Sequence, residues 1–135
     1  MAGFPTETEA DHRSTLELLE NLPVTYLHVF PYSERPGTAS ARLRPLVSAP
    51  VSQARSLELR ELAARKNFQF RSSFLNRNLS VITLDKAGEE KGIEAISSNY
   101  LKVEIPDDSN LQCNQLMDVN IVAVTKAGLQ GVVNG

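Results

Sequence analysis

The apolar residues of this chain change their spacing at Arg77, and that change limits the fold more than any other feature. Upstream they fall mainly on two helical stretches, with one strand-like run at residues 24–30 between them. Downstream they fall into short runs at residues 79–86, 93–105, 119–125 and 129–133. The second run is broken near Ser98 and Asn99, and a turn rich in glycine and charge precedes it. Short strands with turn signals at this spacing predict a small antiparallel barrel.

The upstream part reads as helix, strand, irregular connection and second helix. Thr8 with Asp11 three residues on predicts a capped helix start, Leu16, Leu18, Leu19 and Leu22 supply its apolar side, and Pro23 ends it. Residues 24–30, Val-Thr-Tyr-Leu-His-Val-Phe, are rich in β-branched and aromatic side chains, as in a strand covered on both faces within a parallel sheet. No second run of that kind follows, so such a strand would lack its neighbours. Between residues 31 and 50 lie four prolines and Gly37, which predicts an ordered but irregular connection. A helix is expected over 51–76, with Ser48 as its cap, Val51, Leu57, Leu62, Phe68, Phe70 and Phe74 as contacts, and a bend or fray near Asn67.

A chain of 135 residues has room for one modest core but not for a complete α/β barrel of about 250 residues. It contains no apolar run long enough to span a membrane. Residues 1–11 have neither the basic nor the apolar part of a secretion signal, which predicts a cytoplasmic protein. Cys113 is the only cysteine, and His12 and His28 are the only histidines. A disulfide framework, a cysteine-rich zinc site and a cysteine-held iron–sulfur cluster are therefore outside this chain's means. Cys113 has no basic neighbour in sequence to lower its thiol pKa, which favours a structural role.

The net charge of −2 conceals three blocks. Residues 1–34 hold six acids and one base (−5), residues 35–77 nine bases and two acids (+7), and residues 78–135 four bases and eight acids (−4). A basic middle suits a polyanionic partner, and it equally suits a solvated helix face rich in arginine.

Two strings narrow the reading: Gly3-Phe-Pro-Thr-Glu-Thr-Glu9 and Tyr26-Leu-His-Val-Phe-Pro-Tyr-Ser-Glu-Arg-Pro-Gly-Thr38. Together they resemble the radical S-adenosylmethionine methylthiotransferases of tRNA, the MiaB-like family. In these a Gly-Phe-Pro-Gly-Glu-Thr string, an acidic helix and a strand leading into Tyr-Ser-x-Arg-Pro-Gly-Thr close the radical barrel. A basic helix and a small TRAM barrel follow. The wording of the second string looks most like the branch that acts on N6-threonylcarbamoyladenosine next to the anticodon. Thr6 stands where the family usually has glycine.

The resemblance implies an α+β chain: residues 1–47 as the end of the radical barrel, 48–77 as a basic connecting helix, and 78–135 as a TRAM- or OB-like barrel. It implies that Gly3, Phe4, Pro5, Glu7 and Thr8 approach the cofactor side, although Glu7 and Thr8 also serve simply to start a helix. The family's 4Fe–4S clusters and S-adenosylmethionine would be bound by a Cys-x3-Cys-x2-Cys portion that this sequence lacks, so the chain alone is expected to be inactive, with no catalytic or metal residue of its own. Its expected task is gripping the anticodon stem-loop of tRNA.

For that grip, Arg35 and Thr38 stand at the barrel mouth. Arg42, Arg44, Arg55, Arg60, Arg65, Lys66, Arg71 and Arg77 offer phosphate contacts, and Tyr100, Lys86 and Lys102 offer a strand face on which bases stack. Arg35 to Thr38 also reads as a plain turn, and His28 as a hydrogen-bonded core histidine. Two rival readings exist. An acidic barrel or an open strand edge at residues 24–30 would make the chain an interaction module or a self-associating one. A free-standing enzyme using Glu7, His28 and Arg35 is disfavoured, because nothing in the sequence brings those residues together.

Overall fold

The computed structural model describes residues 1–86, 92–106 and 111–133, without the side chains of Asp85 and Lys86. Contacts divide the chain into two compact units, Met1–Asn67 and Phe68–Gly135.

The first unit is built on helix α1 (Glu9–Asn21) and most of helix α2 (Ala49–Ser72), with a single 3-10 turn at Ser40–Arg42. The expected cap is present: the Asp11 N–H donates to Thr8 Oγ1 at 3.1 Å, and the Thr8 N–H donates to Asp11 Oδ2 at 2.9 Å. Pro50 falls in the first turn of α2, where its missing N–H costs nothing. The helix begins just after Ser48, whose carbonyl takes the Ser52 N–H. It does not fray at Asn67 but stays helical to Ser72, and it stops there rather than at Asn76. The last turn is closed instead by tight bonds such as Phe74 N–H to Arg71 O, and Asn76 adopts φ 60°.

Residues 24–30 are not a strand, contrary to the sequence expectation. A strand is defined by a ladder, and only one rung exists: a parallel bridge between Ala2 and Pro31, with Ala2 N–H to Phe30 O at 2.9 Å and Tyr32 N–H to Ala2 O at 2.8 Å. That single rung flanks α1 as the two strands of a βαβ unit flank their helix. Side-chain exposure still alternates, with Thr25, Leu27 and Val29 half-buried and Tyr26, His28 and Phe30 exposed. One face is therefore covered, not two. His28 is accordingly no core histidine; it stacks on Phe30 and meets Tyr26 edge-on. The buried histidine is His12, 2% exposed.

The second unit is a closed five-stranded barrel of β1 (Asn78–Lys86), β2 (Ile93–Ser97), β3 (Lys102–Ile105), β4 (Leu116–Val124) and β5 (Leu129–Val133), in the order β1-β2-β3-β5-β4. Strand alternation sends Val81, Ile93, Ala95, Val103, Ile105, Val119, Ile121 and Leu129 inward. Gly131 lies between Val103 and Val119, where an added Cβ would come within 3.0 and 3.1 Å of their methyls. The barrel is not wholly antiparallel: β3 and β5 run parallel, pairing Val103 with Leu129 and Glu104 with Gln130. This is the five-stranded topology of an OB- or TRAM-like barrel, and with two helices it makes the chain α+β. Strand β4 begins three residues before the sequence reading because Leu116, Met117 and Asp118 pair with Ile82, Val81 and Ser80. Phe70 and Phe74 pack against the barrel core.

Candidate nucleic-acid interface

The loop before α1 is shaped by its contacts with α2. Gly3 sits at φ 74°, and a Cβ there would lie 2.3 Å from Ser52 Oγ. Its N–H donates to Glu7 Oε1 at 3.2 Å. The same carboxylate oxygen takes Arg55 Nη1 at 2.7 Å, and Arg55 also bonds the Glu7 carbonyl at 3.1 Å. Arg55 is 6% exposed, so this is a buried cation matched by a half-buried carboxylate. Pro5 is buried and Thr8 is committed to capping α1. Of the five loop residues proposed for the cofactor side, only Phe4 presents its side chain to an open cleft.

That cleft is lined by Phe4, Phe30, Tyr32, Arg35, Thr38 and Ser40. Phe4 meets Tyr32 edge-on at 5.4 Å. The Tyr32 hydroxyl is buried with no partner among the described residues. Thr38 closes the turn by donating its hydroxyl to Arg35 O at 2.8 Å, which leaves the Arg35 guanidinium in solvent. Phe30 and Tyr32 belong to the same sequence string as Arg35 and Thr38, but an aromatic ring beside a turn carries no binding signal of its own in sequence.

The basic residues separate into two groups. Several hold the fold. Arg65 grips Glu20 with two bonds of 2.8 and 2.6 Å, which pulls the Glu20 carboxyl below its ordinary pKa and raises that of Arg65. Lys66 donates to the Glu20 and Leu22 carbonyls at 2.8 Å each, where a cation complements the C-terminal end of α1. Arg71 lies near the face of Phe68 and donates to the carbonyls of Thr125 and Gly128, pinning the β4–β5 turn. Arg44 bonds the carbonyls of Ala41 and Leu43. The others are uncommitted: Arg35, Arg42 and Arg60 are exposed and make no ion pair among the described residues, and Arg77 lies over the Phe74 ring at 5.5 Å.

On the barrel, Tyr100 and Lys102 are exposed, and Lys102 shares a groove with Thr125, Ala127 and Gly128. The side chain of Lys86 lies outside the described residues. Exposed Lys126, in the β4–β5 turn, escaped the sequence reading although the Thr-Lys-Ala-Gly run marks a turn. Cys113 is exposed and free. The described residues contain no group of three or more His, Cys, Asp or Glu placed to hold a metal, and the chain's single thiol does not fit a three-cysteine cluster site. Among the described residues no helix is long and apolar enough to cross a membrane.

No family model matches the chain. Individual proteins do. It is 33% identical over 132 residues to the tRNA-2-methylthio-N(6)-dimethylallyladenosine synthase of Roseobacter denitrificans, covering 98% of this chain and 30% of that protein. The enzyme of the same name from Ruegeria pomeroyi is 34% identical over 131 residues, 97% of this chain and 29% of its own length. The threonylcarbamoyladenosine tRNA methylthiotransferase MtaB of Aquifex aeolicus is 30% identical over 104 residues, 77% of this chain and 24% of its length. The chain thus spans under a third of the curated relatives it matches. It belongs to the MiaB-like family of tRNA methylthiotransferases and corresponds to the C-terminal part of its members.

Proposed function

We propose that this chain grips the anticodon stem-loop of tRNA within a cytoplasmic enzyme that adds a methylthio group to an N6-modified adenosine beside the anticodon. The observation that carries the reading is the match to tRNA-modifying enzymes over 97–98% of the chain, across both units. The Tyr26 to Ser33 wording favours the threonylcarbamoyl substrate. Radical chemistry would belong to S-adenosylmethionine and iron–sulfur clusters held by other residues, because this chain supplies one cysteine. Phe4 is its loop residue best placed to approach the cofactor side.

Within the grip, Arg35, Arg42 and Arg60 of the first unit make phosphate contacts, with Thr38 in the same turn as Arg35, and Arg77 of the second unit makes its own. Arg55, Arg65, Lys66 and Arg71 act chiefly by fixing the surface that carries them. Titrating the chain against an adenosine-37 stem-loop from 50 to 200 mM salt tests this, with a log–log slope of roughly −0.7 to −0.9 per phosphate contact. Replacing Arg35, Arg42, Arg60 and Arg77 by Ala flattens the slope. Absence of binding at the lowest salt overturns the reading.

A second reading has its own observation: Tyr26 and Phe30 are 68% and 62% exposed on the bare face of residues 24–30. Self-association through that face predicts a molar mass in light scattering that rises with concentration. A strict monomer removes it.

A further inference from the structure

Tyr100 occupies a position that its residue type disfavours. The Tyr100 N–H donates to Ser97 O at 2.9 Å, closing the tight turn from β2 to β3, and Tyr100 itself then adopts φ 62°. That left-handed position suits Gly or Asn, and a bulky ring there is held against a backbone preference. Asn99, the neighbouring residue, would fit it better. The turn is locked from inside: the buried Ser97 hydroxyl accepts the Leu101 N–H at 3.0 Å, and the Ser97 N–H bonds Leu101 O at 3.0 Å. The ring contributes nothing to the core, for Tyr100 is 84% exposed, and it is the only aromatic residue after Phe74.

Its surroundings supply cations despite the barrel's charge. Lys102, two residues on, lies with its backbone against Gly128, where an added Cβ would sit 2.5 Å from Lys102 O. Gly128 belongs to the β4–β5 turn that carries exposed Lys126. Glu94 and Glu104 pair across β2 and β3 nearby, so the local field is mixed. A surface of this kind draws little affinity from charge. A ring face, by contrast, stacks on any base.

We infer that the Ser98–Tyr100 turn is a preset platform on which Tyr100 stacks an unpaired nucleobase of single-stranded RNA, with Lys102 and Lys126 beside its phosphates. The inference rests on the tRNA reading and names the barrel's share in it. Residue strain, exposure and rigidity thereby find one explanation: the turn holds the ring out in solvent before RNA arrives, which lowers the ordering cost of binding.

The chain contains no tryptophan, so Tyr100→Trp places a single indole reporter at the turn. Titrated with the adenosine-37 stem-loop, its emission is quenched along the binding curve. Tyr100→Leu weakens binding by roughly 5- to 150-fold, the range for one stacked base, while the salt slope stays that of the wild type. Tyr100→Gly is the decisive variant. It relieves the φ 62° backbone and raises the melting temperature by a few degrees, yet binds as weakly as Tyr100→Leu. If the wild type binds RNA and the arginine variants flatten its salt slope, but Tyr100→Leu and Tyr100→Gly bind within twofold of it, the platform is wrong and the tRNA reading stands. If the wild type binds no RNA, both fall.

Discussion

The two units of this chain are held together by different means. The barrel is closed by backbone: every strand has two hydrogen-bonded neighbours, and the interior is a continuous set of aliphatic side chains with Thr83 and Ser97 as the buried polar residues among those described. The first unit has one backbone rung between its non-helical segments. Beside it stand a further backbone bond, Thr6 N–H to Pro45 O, the buried apolar side chains of Ala2, Leu59 and Leu62, and a set of charged and polar side-chain ties. Arg55 holds the Gly3–Glu7 loop, His12 Nε2 meets Glu58 at 2.9 Å, and Arg65, Lys66 and Asn67 tie α2 to the end of α1 and to Thr25. A unit joined by a ladder tolerates change at its surface, whereas one joined by ion pairs is sensitive to single substitutions, salt and pH.

The sharpest way to break this contrast is Arg55→Ala. Removing one partner of a buried pair leaves the Glu7 carboxylate, 15% exposed, without its cation and costs about 3–5 kcal/mol. Amide exchange should quicken through residues 3–8 and α1 while the barrel amides keep their protection. Uniform exchange across both units would mean that the loop is held by packing instead.

The counterpart in the barrel is Ile121→Ala. Ile121 is fully buried in the barrel core, opposite Gly131 of β5, and truncation costs about 2–5 kcal/mol, depending on how far the cavity collapses. The barrel's protection should fall and that of α1 should not. Parallel losses in both units would show one cooperative core rather than two.

The barrel was legible in the sequence because alternation at period two is local: each of its strands could be found without knowing its neighbour. Residues 24–30 carry an equally good strand composition, yet whether they form one depends on partners that composition cannot show. The basic block was legible as charge and not as contact. Arg65 and Arg60 look alike in sequence, but one is bound to Glu20 and the other stands in solvent, and only the placement of α1 separates them. The break at Ser98 and Asn99 was visible, but the left-handed residue is Tyr100, which no turn preference selects.

Thr6→Gly sharpens the comparison from the opposite direction, by gain. Thr6 stands at φ 72°, a region costing a β-branched residue about 1–2 kcal/mol. Glycine removes that cost and loses about 0.5–1 kcal/mol to the freer unfolded chain, so a net gain of about 0.5–1 kcal/mol is expected. A thermal melt of the first unit measures it. A loss of stability would mean that the Thr6 side chain makes a contact worth more than its strain.

The smallest effect discriminates between the units by pH. Bonds from the Thr8 hydroxyl and N–H hold the Asp11 carboxyl below its ordinary value of 3.8, and the Arg65 guanidinium holds Glu20 below 4.5. Both groups bind fewer protons folded than unfolded. The stability they contribute is therefore complete above those ordinary values and is lost as pH falls through the lower folded ones. Both carboxylates are exposed, so the effect is modest and weakens further in high salt. Carboxyl chemical shifts of Asp11 and Glu20, followed with the α1 amides from pH 6 to 2, should show the helix loosening in that window while the barrel amides hold. Glu20→Gln should remove its part of the transition. If α1 and the barrel lose protection together, the acid-sensitive groups lie elsewhere, and the first unit is held by more than the side-chain ties that distinguish it from the barrel.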